Sequence, residues 1–309
     1  KFSQNNKIFI YKTSLPFITE KKLEMKLGQL PTFWKYVEPK YSQISAELRK
    51  NFNLINKKKQ KLDQFETFIR KIIPSTFPVF ALETFKVNLK ISENLGYPKN
   101  PQKIFTCLAT QGDELFKIYL AEQVKKKSKY YCGQHGNNYF TSHLTRISVD
   151  VKTPDRFLSW GFKDDKKKIT PVSNFKCIGK LKTKRCFKKS GNLLVICNIP
   201  GHNRSPIERN DLDEKQINST FLILKNLRSD IKQGVNIRIS QNYKDQFNGY
   251  YFKKYFLKSH HKVSFLEKNN LRLLQSNSRL SFFNYYSTGM LENFLLNIPC
   301  VSYLDMDFE

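Results

Sequence analysis

Apolar residues follow two kinds of pattern along the chain, and the change between them outlines the fold. From 41 to 73 they recur at Ile44, Leu48, Phe52, Ile55, Leu62, Phe65, Ile69 and Ile72, close to the 3.6-residue period of an amphipathic helix. One long helix or a broken pair is predicted there, ended by Pro74 and Pro78. The run Lys57-Lys58-Lys59-Gln60-Lys61 reads as its solvated face. From about residue 79 short apolar runs alternate with helical stretches. Val79–Leu82, Ile104–Leu108, Lys129–Cys132 and Phe157–Phe162 are the first set. Leu193–Cys197, Val235–Ile239, Val263–Phe265, Leu280–Phe283 and Pro299–Tyr303 are the second. Helices are expected between them, over 85–95, from Asp113 through Val124, over 214–232 and 247–257, around 271–275 and through Leu291 and Leu295. Lys7–Tyr11 adds a possible early strand.

Strands alternating with helices in two blocks predict an α/β protein with two open, parallel, Rossmann-like sheets. The expected domains are a mixed, helical N-terminal segment over 1–78, one α/β domain over 79–185 and a second over 186–309. The stretch 163–190, rich in Lys and poor in periodicity, is the expected connection, with Asp164-Asp165 solvated inside it. Asp113 and Glu114 stand where acidic side chains favour a helix N-terminus.

Charge first points elsewhere. The 309 residues carry 54 Lys+Arg against 26 Asp+Glu, a formal net charge of +28, which ordinarily indicates nucleic acid or an anionic surface. Only 11 of the basic residues are Arg, however, and Ala occurs four times. AT-rich codons produce such a composition without selection for a polyanion, and nucleic-acid sites favour the planar fork of Arg. Nucleic acid is therefore the weaker expectation for a partner, and attraction of phosphate-bearing donors or a peripheral membrane contact the stronger. The six Cys show no Cys-x-x-Cys pair and are expected as reduced cytoplasmic thiols. No apolar run reaches the ~18 residues of a membrane span.

Ligands of open α/β sheets bind beyond the C-terminal ends of the strands, and three polar loops stand there. Gly133-Gln134-His135-Gly136 places a histidine between glycines, with a pKa range suited to general acid/base work; a loop histidine bonded to backbone is the plainer alternative. Asn198–Arg209, with Gly201, His202, Arg204 and Ser205, suits a phosphate cradle, though it matches neither the P-loop nor the dinucleotide fingerprint. Ser287-Thr288-Gly289 starts a helix and can hold a phosphate on hydroxyls and backbone N–H groups. Glu292, one turn on, can accept both hydroxyls of a ribose. An N-cap followed by a solvent-facing Glu is the alternative there. Together the loops suit a nucleotide-activated donor held in a central cleft. His260-His261 has no partner at metal spacing and reads as surface.

Taken together, Asp113-Glu114-Leu115-Phe116-Lys117, Gly133-Gln134-His135-Gly136-Asn137-Asn138-Tyr139 and Asp155-Arg156-Phe157-Leu158-Ser159-Trp160-Gly161 resemble a bacterial family of transferases of the GT-B type. Ser287-Thr288-Gly289-Met290-Leu291-Glu292 followed by Leu296-Asn297-Ile298-Pro299 is similar to that family's donor-side signature. The same clan holds capsule Kdo transferases and CDP-glycerol glycerophosphotransferases. The resemblance covers roughly 79–309. It implies a GT-B-like fold with two Rossmann-like domains facing a central cleft, and a donor domain cut short at its C-terminus. It makes His135 a candidate base that deprotonates an acceptor hydroxyl, gives Ser287, Thr288 and Glu292 to the donor's phosphate and ribose, and matches Arg238 to a basic position on a mid-domain strand. From the loops themselves, Gly201, Arg204 and Gly289 join the expected donor-binding residues, and Gln134, Gly136 and Asn137 the expected substrate-binding ones.

The expected function is transfer of a sugar or polyol-phosphate group from a nucleotide-activated donor to a glycan or lipid-linked acceptor in surface-polysaccharide synthesis. It is expected to need no metal and no cofactor, in the cytoplasm or at the inner face of the membrane. The competing expectations are a basic nucleic-acid-binding protein without activity, and a GT-B-fold sugar-nucleotide epimerase or hydrolase.

Overall fold

The computed structural model describes residues 5–51, 63–137, 139–140, 148–164, 168–179, 187–197, 211–232, 234–239, 264–265, 271–285 and 287–302. The chain divides into two compact units. The first is Lys1–His135 with Ser148–Lys176, and the second is Gly136–Ile147 with Cys177–Glu309. Each is a Rossmann-like α/β unit built on a five-stranded parallel sheet.

In the first unit the strands are β1 (Ile8–Ile10), β2 (Lys103–Thr106), β3 (Lys129–Gly133), β4 (Arg156–Trp160) and β5 (Ile169–Val172), side by side in that order. Its helices are α1 (Phe17–Lys26), α2 (Ala46–Asn51), α3 (Gln64–Thr76), α4 (Phe85–Glu93), α5 (Ala109–Gly112), α6 (Glu114–Lys125) and α7 (Val149–Lys152). The early strand predicted at 7–11 is therefore an edge of the same sheet, not part of a separate helical segment. Phe9 of β1 is buried, with its ring 4.9 Å from Tyr97 and edge-on to Tyr119 and Trp34 at 5.3 and 5.2 Å. Edge-to-face aromatic pairs of this kind add to the area they bury.

Asp113 caps α6 as predicted, accepting the Phe116 N–H at 3.0 Å. It does more. Its second oxygen accepts the Tyr11 hydroxyl at 2.7 Å and the Lys12 ammonium at 2.8 Å, so one carboxylate ties the end of β1 to the start of α6.

Four sequence expectations change here. Pro74 lies inside α3, which runs on to Thr76. Arg49 makes that last turn workable, donating to the carbonyls of Pro74, Ser75 and Phe77 at 3.1, 2.8 and 2.8 Å and so satisfying acceptors that a helix end leaves open. Val79–Leu82, expected as a buried strand, forms a single 3₁₀ turn at Val79–Ala81, and none of its four residues is buried. Finally, 163–190 is not only a connection, because it supplies β5. Pro171 hides that strand in the sequence, yet proline is tolerated at a sheet edge, and β5 is an edge. Asp164 is not simply solvated either, since it accepts the Ile169 N–H at 3.0 Å.

In the second unit the strands are β6 (Leu193–Cys197), β7 (Val235–Ile239), β8 (Ser264–Phe265), β9 (Leu280–Phe283) and β10 (Cys300–Ser302), in the order β10-β9-β6-β7-β8. The helices are α8 (Asp211–Lys225), α9 (Ser229–Lys232), α10 (Leu271–Ser276) and α11 (Thr288–Leu295). β6 is apolar throughout because both its faces are covered. Val195 and Cys197 pack with Ile237, Phe282 and Leu224 on one side, and Leu194 and Ile196 with Leu274 and Phe283 on the other. The helix expected over 247–257, the Lys57–Lys61 run and His260-His261 lie outside the described residues. Among the described residues no helix is long and apolar enough to cross a membrane.

Candidate active site

The two sheets differ in a way that bears on ligand binding. In the first, spatial order follows sequence order. In the second, the chain starts at β6, moves outward through β7 and β8, and returns to the other side of β6 with β9 and β10. The reversal makes the C-terminal ends of β6 and β9 a topological switch point, the position where open α/β sheets bind ligands. The loop leaving β9 ends there at the start of α11.

Ser287 is the N-cap of α11. Its hydroxyl accepts the Gly289 N–H at 3.1 Å and donates to the Tyr285 hydroxyl at 3.1 Å. That hydroxyl, expected for a phosphate, is thus engaged in holding the helix start. Gly289 lets α11 pack close, since a Cβ there would lie 3.1 Å from Phe283 Cε1. Thr288 and Glu292 are half-buried one turn apart. Asn137, read on the acceptor side, belongs with the second unit and donates its amide to the Ser287 carbonyl at 3.3 Å.

Arg238 occupies the strand next to β6. In the parallel register it pairs with Ile196, which pairs in turn with Phe283 of β9. The three side chains therefore stand on one face in one row. β7 and β9 are about 10 Å apart, two strand spacings, with the buried Ile196 between them. The Arg238 Nε is buried and has no hydrogen-bond partner. Gly201 and Arg204 lie outside the described residues, as does the loop after β6.

In the first unit the Gly133–Gly136 loop leaves the C-terminal end of β3. Gln134 is buried and structural on both counts. Its N–H donates to Leu158 O at 2.8 Å, and its side-chain carbonyl accepts the Trp160 N–H at 2.8 Å, extending the β3–β4 pairing. His135 is half-buried. Burial pushes its imidazole below the ordinary range, Lys176 pushes the same way, and the carboxylate of Asp150 opposes both. The imidazole is consequently neutral near pH 7 and able to accept a proton. Asp150, at the first turn of α7, is 7% exposed and is held by Thr110 Oγ1 at 2.7 Å and Gln111 Nε2 at 2.9 Å. Sequence reading missed it, because no spacing links position 150 to 135. Only the fold brings α7 beside the ends of β2 and β3.

The two glycines of this loop differ. A Cβ on Gly133 would meet Cys107 Sγ at 2.6 Å and Phe175 Cε2 at 2.7 Å, whereas one on Gly136 meets nothing within 4 Å. We expect Gly133→Ala to lower stability by about 1–3 kcal/mol through overpacking, and Gly136→Ala to leave the denaturation midpoint unchanged. A loss of turnover in the latter alone would report a ligand passing close to the backbone.

Cys107 is pushed up to about 11 by burial, and Cys132 and Cys197 are raised by the same cause, so these thiols are inert. Among the described residues no group of three His, Cys, Asp or Glu can hold a metal ion. Two Asp-x-Asp triplets, Asp211-Leu212-Asp213 and Asp305-Met306-Asp307, are present in the sequence. Their spacing can present two carboxylates to a cation, which leaves the metal-free expectation open; their side chains lie outside the described residues.

No curated protein matches the chain. A family model described as LIC12162 family transferase matches residues 1–309. The match spans the whole chain: the chain belongs to the LIC12162 family of transferases.

Proposed function

We propose that the chain is a GT-B-type transferase that moves a sugar or polyol-phosphate group from a nucleotide-activated donor to an acceptor hydroxyl of a surface glycan or lipid-linked precursor. The observation that carries the reading is the β6/β9 switch point. The N-terminus of α11 stands at one side of it and the buried, unpartnered Arg238 Nε at the other. Helix-start N–H groups and a guanidinium stabilise the charge that develops on a departing nucleotide phosphate. Glu292, one turn into α11, accepts from ribose hydroxyls. His135, neutral at working pH, takes the proton of the acceptor hydroxyl as the new bond forms, and the nucleotide leaves with the bonding electron pair.

The test is thermal denaturation with CMP, CDP, UDP and GDP. A nucleotide that binds only the native state raises Tm with concentration. We expect one base to be preferred and both Arg238→Met and Glu292→Gln to weaken it about 10- to 100-fold, the loss of one charged hydrogen bond of roughly 1.5–3 kcal/mol. No stabilisation by any of the four would reject the reading. Product analysis with and without acceptor then separates transfer from hydrolysis or epimerisation of the donor.

A further inference from the structure

Helix α1 is turned inside out. Its carboxylates face the protein: Glu24 is fully buried and accepts the Thr32 N–H at 2.6 Å and the Lys21 ammonium at 2.7 Å. Three of its four apolar side chains face outward, with Phe17 62%, Ile18 66% and Met25 55% exposed, while Leu23 is half-buried. At 3.6 residues per turn, positions 17, 18, 21, 22 and 25 lie on one side of the helix. Phe33, 72% exposed, extends that side, its ring 5.9 Å from Phe17. Lys21 lies against both rings, 5.6 Å from Phe17 and 5.4 Å from Phe33. Lys22 and Lys26 are exposed at the rim.

We propose that this face of α1 docks the protein on the surface of an anionic lipid bilayer. A contiguous apolar patch rimmed by polar groups marks an interaction site. Phenylalanine, isoleucine and methionine flanked by lysines form the pattern of a helix lying in the interfacial plane. Charge decides the occupant. The outward face carries lysines and no carboxylate, because Glu20 and Glu24 are turned inward and bound to Lys21. A second copy would set lysine against lysine, a like-charge juxtaposition that opposes pairing. An anionic lipid surface attracts each lysine and receives the apolar side chains below the headgroups.

Sedimentation of the 309-residue chain with phosphatidylcholine vesicles, with and without phosphatidylglycerol, tests the proposal. We expect binding to the phosphatidylglycerol vesicles, weakened by salt, and little to phosphatidylcholine alone. Lys22→Glu/Lys26→Glu weakens binding by at least about 25-fold, from roughly fivefold per lysine near the surface. Phe17→Ser/Ile18→Ser/Met25→Ser abolishes it with Tm unchanged, since all three side chains are solvent-exposed. Failure of the wild-type chain to sediment with anionic vesicles overturns the proposal, as does full binding by the triple variant. A concentration-dependent dimer in ultracentrifugation that the triple variant abolishes, without vesicle binding, overturns it in favour of a second copy.

Discussion

His135→Ala is expected to lower turnover by about 10²- to 10⁴-fold, the range for loss of a positioned general base, the role proposed for it, and to leave the denaturation midpoint close to that of the wild type. The side chain is half-buried at a loop, so its truncation opens little space, whereas the proton it accepts has no other neutral imidazole beside it among the described residues. The pH profile identifies the role more sharply than the rate does. Burial and Lys176 depress the imidazole pKa and Asp150 raises it, so the acidic limb of kcat/KM lies below the ordinary histidine range. Asp150→Asn removes the opposing charge and moves that limb to still lower pH while reducing the plateau. Lys176→Met moves it upward. A structural role for either residue would lower activity at every pH without moving the limb. The same depression has a stability counterpart. Because the folded imidazole binds a proton less readily than the unfolded one, its contribution is complete above the unfolded pKa and is lost as pH falls through the folded value. Unchanged turnover in His135→Ala would remove the histidine from the proposed mechanism while leaving the proposed nucleotide site of the second unit standing.

Asp113→Ala destabilises the first unit by about 2–4 kcal/mol. The α6 cap accounts for about 1 kcal/mol of this. The Tyr11 hydroxyl, left buried without its acceptor, adds about 1–3 kcal/mol. Lys12 adds little, being a third exposed. Asp113→Asn keeps an acceptor for the Phe116 N–H but puts an NH2 donor where Oδ2 accepts from Tyr11 and Lys12, and is expected to recover only the share of the cap. Urea unfolding checks both, as a shift of midpoint at constant slope. Equal losses in the two variants would show that the cap contributes nothing and that the Oδ2 contacts to Tyr11 and Lys12 carry the whole effect.

That carboxylate also shows what could be read from sequence. An acidic residue before an apolar 3.6-period run announces an N-cap, and the cap is there. Nothing announces Tyr11 and Lys12 as its other partners, about a hundred residues earlier, because the register of β1 against β2 creates the contact. The same division holds across the fold. β6 was legible because a strand covered on both faces is apolar throughout, β9 because only Ser281 interrupts its apolar run, and α11 because Ser287 precedes its helical pattern. β5 was not, since Pro171 and the surrounding lysines conceal its apolar residues. Val79–Leu82 misled because an apolar tetrapeptide fits a partly covered 3₁₀ turn as well as a strand. In the candidate site, His135 and the Ser287-Thr288-Gly289 start stood out by local chemistry. The placement of Arg238 depends on alternation along β7, which puts Ile237 in the core and Arg238 on the opposite face. Asp150 is visible only in three dimensions.

The hidden strand has one more consequence. In β5, Lys168 offers its carbonyl to the Phe157 N–H of β4, so Ile169 and Pro171, one and three residues on, turn their backbone nitrogens away from the sheet. The Ile169 N–H is taken by Asp164, and Pro171 has none to offer. The outer rim of the sheet therefore presents no free amide donor at Ile169 and Pro171, and an extended segment of another molecule meets only carbonyl acceptors there, half of what a ladder needs. A parallel rim in so apolar and aromatic a chain would invite edge-to-edge aggregation; one proline and one aspartate remove the donors from its template.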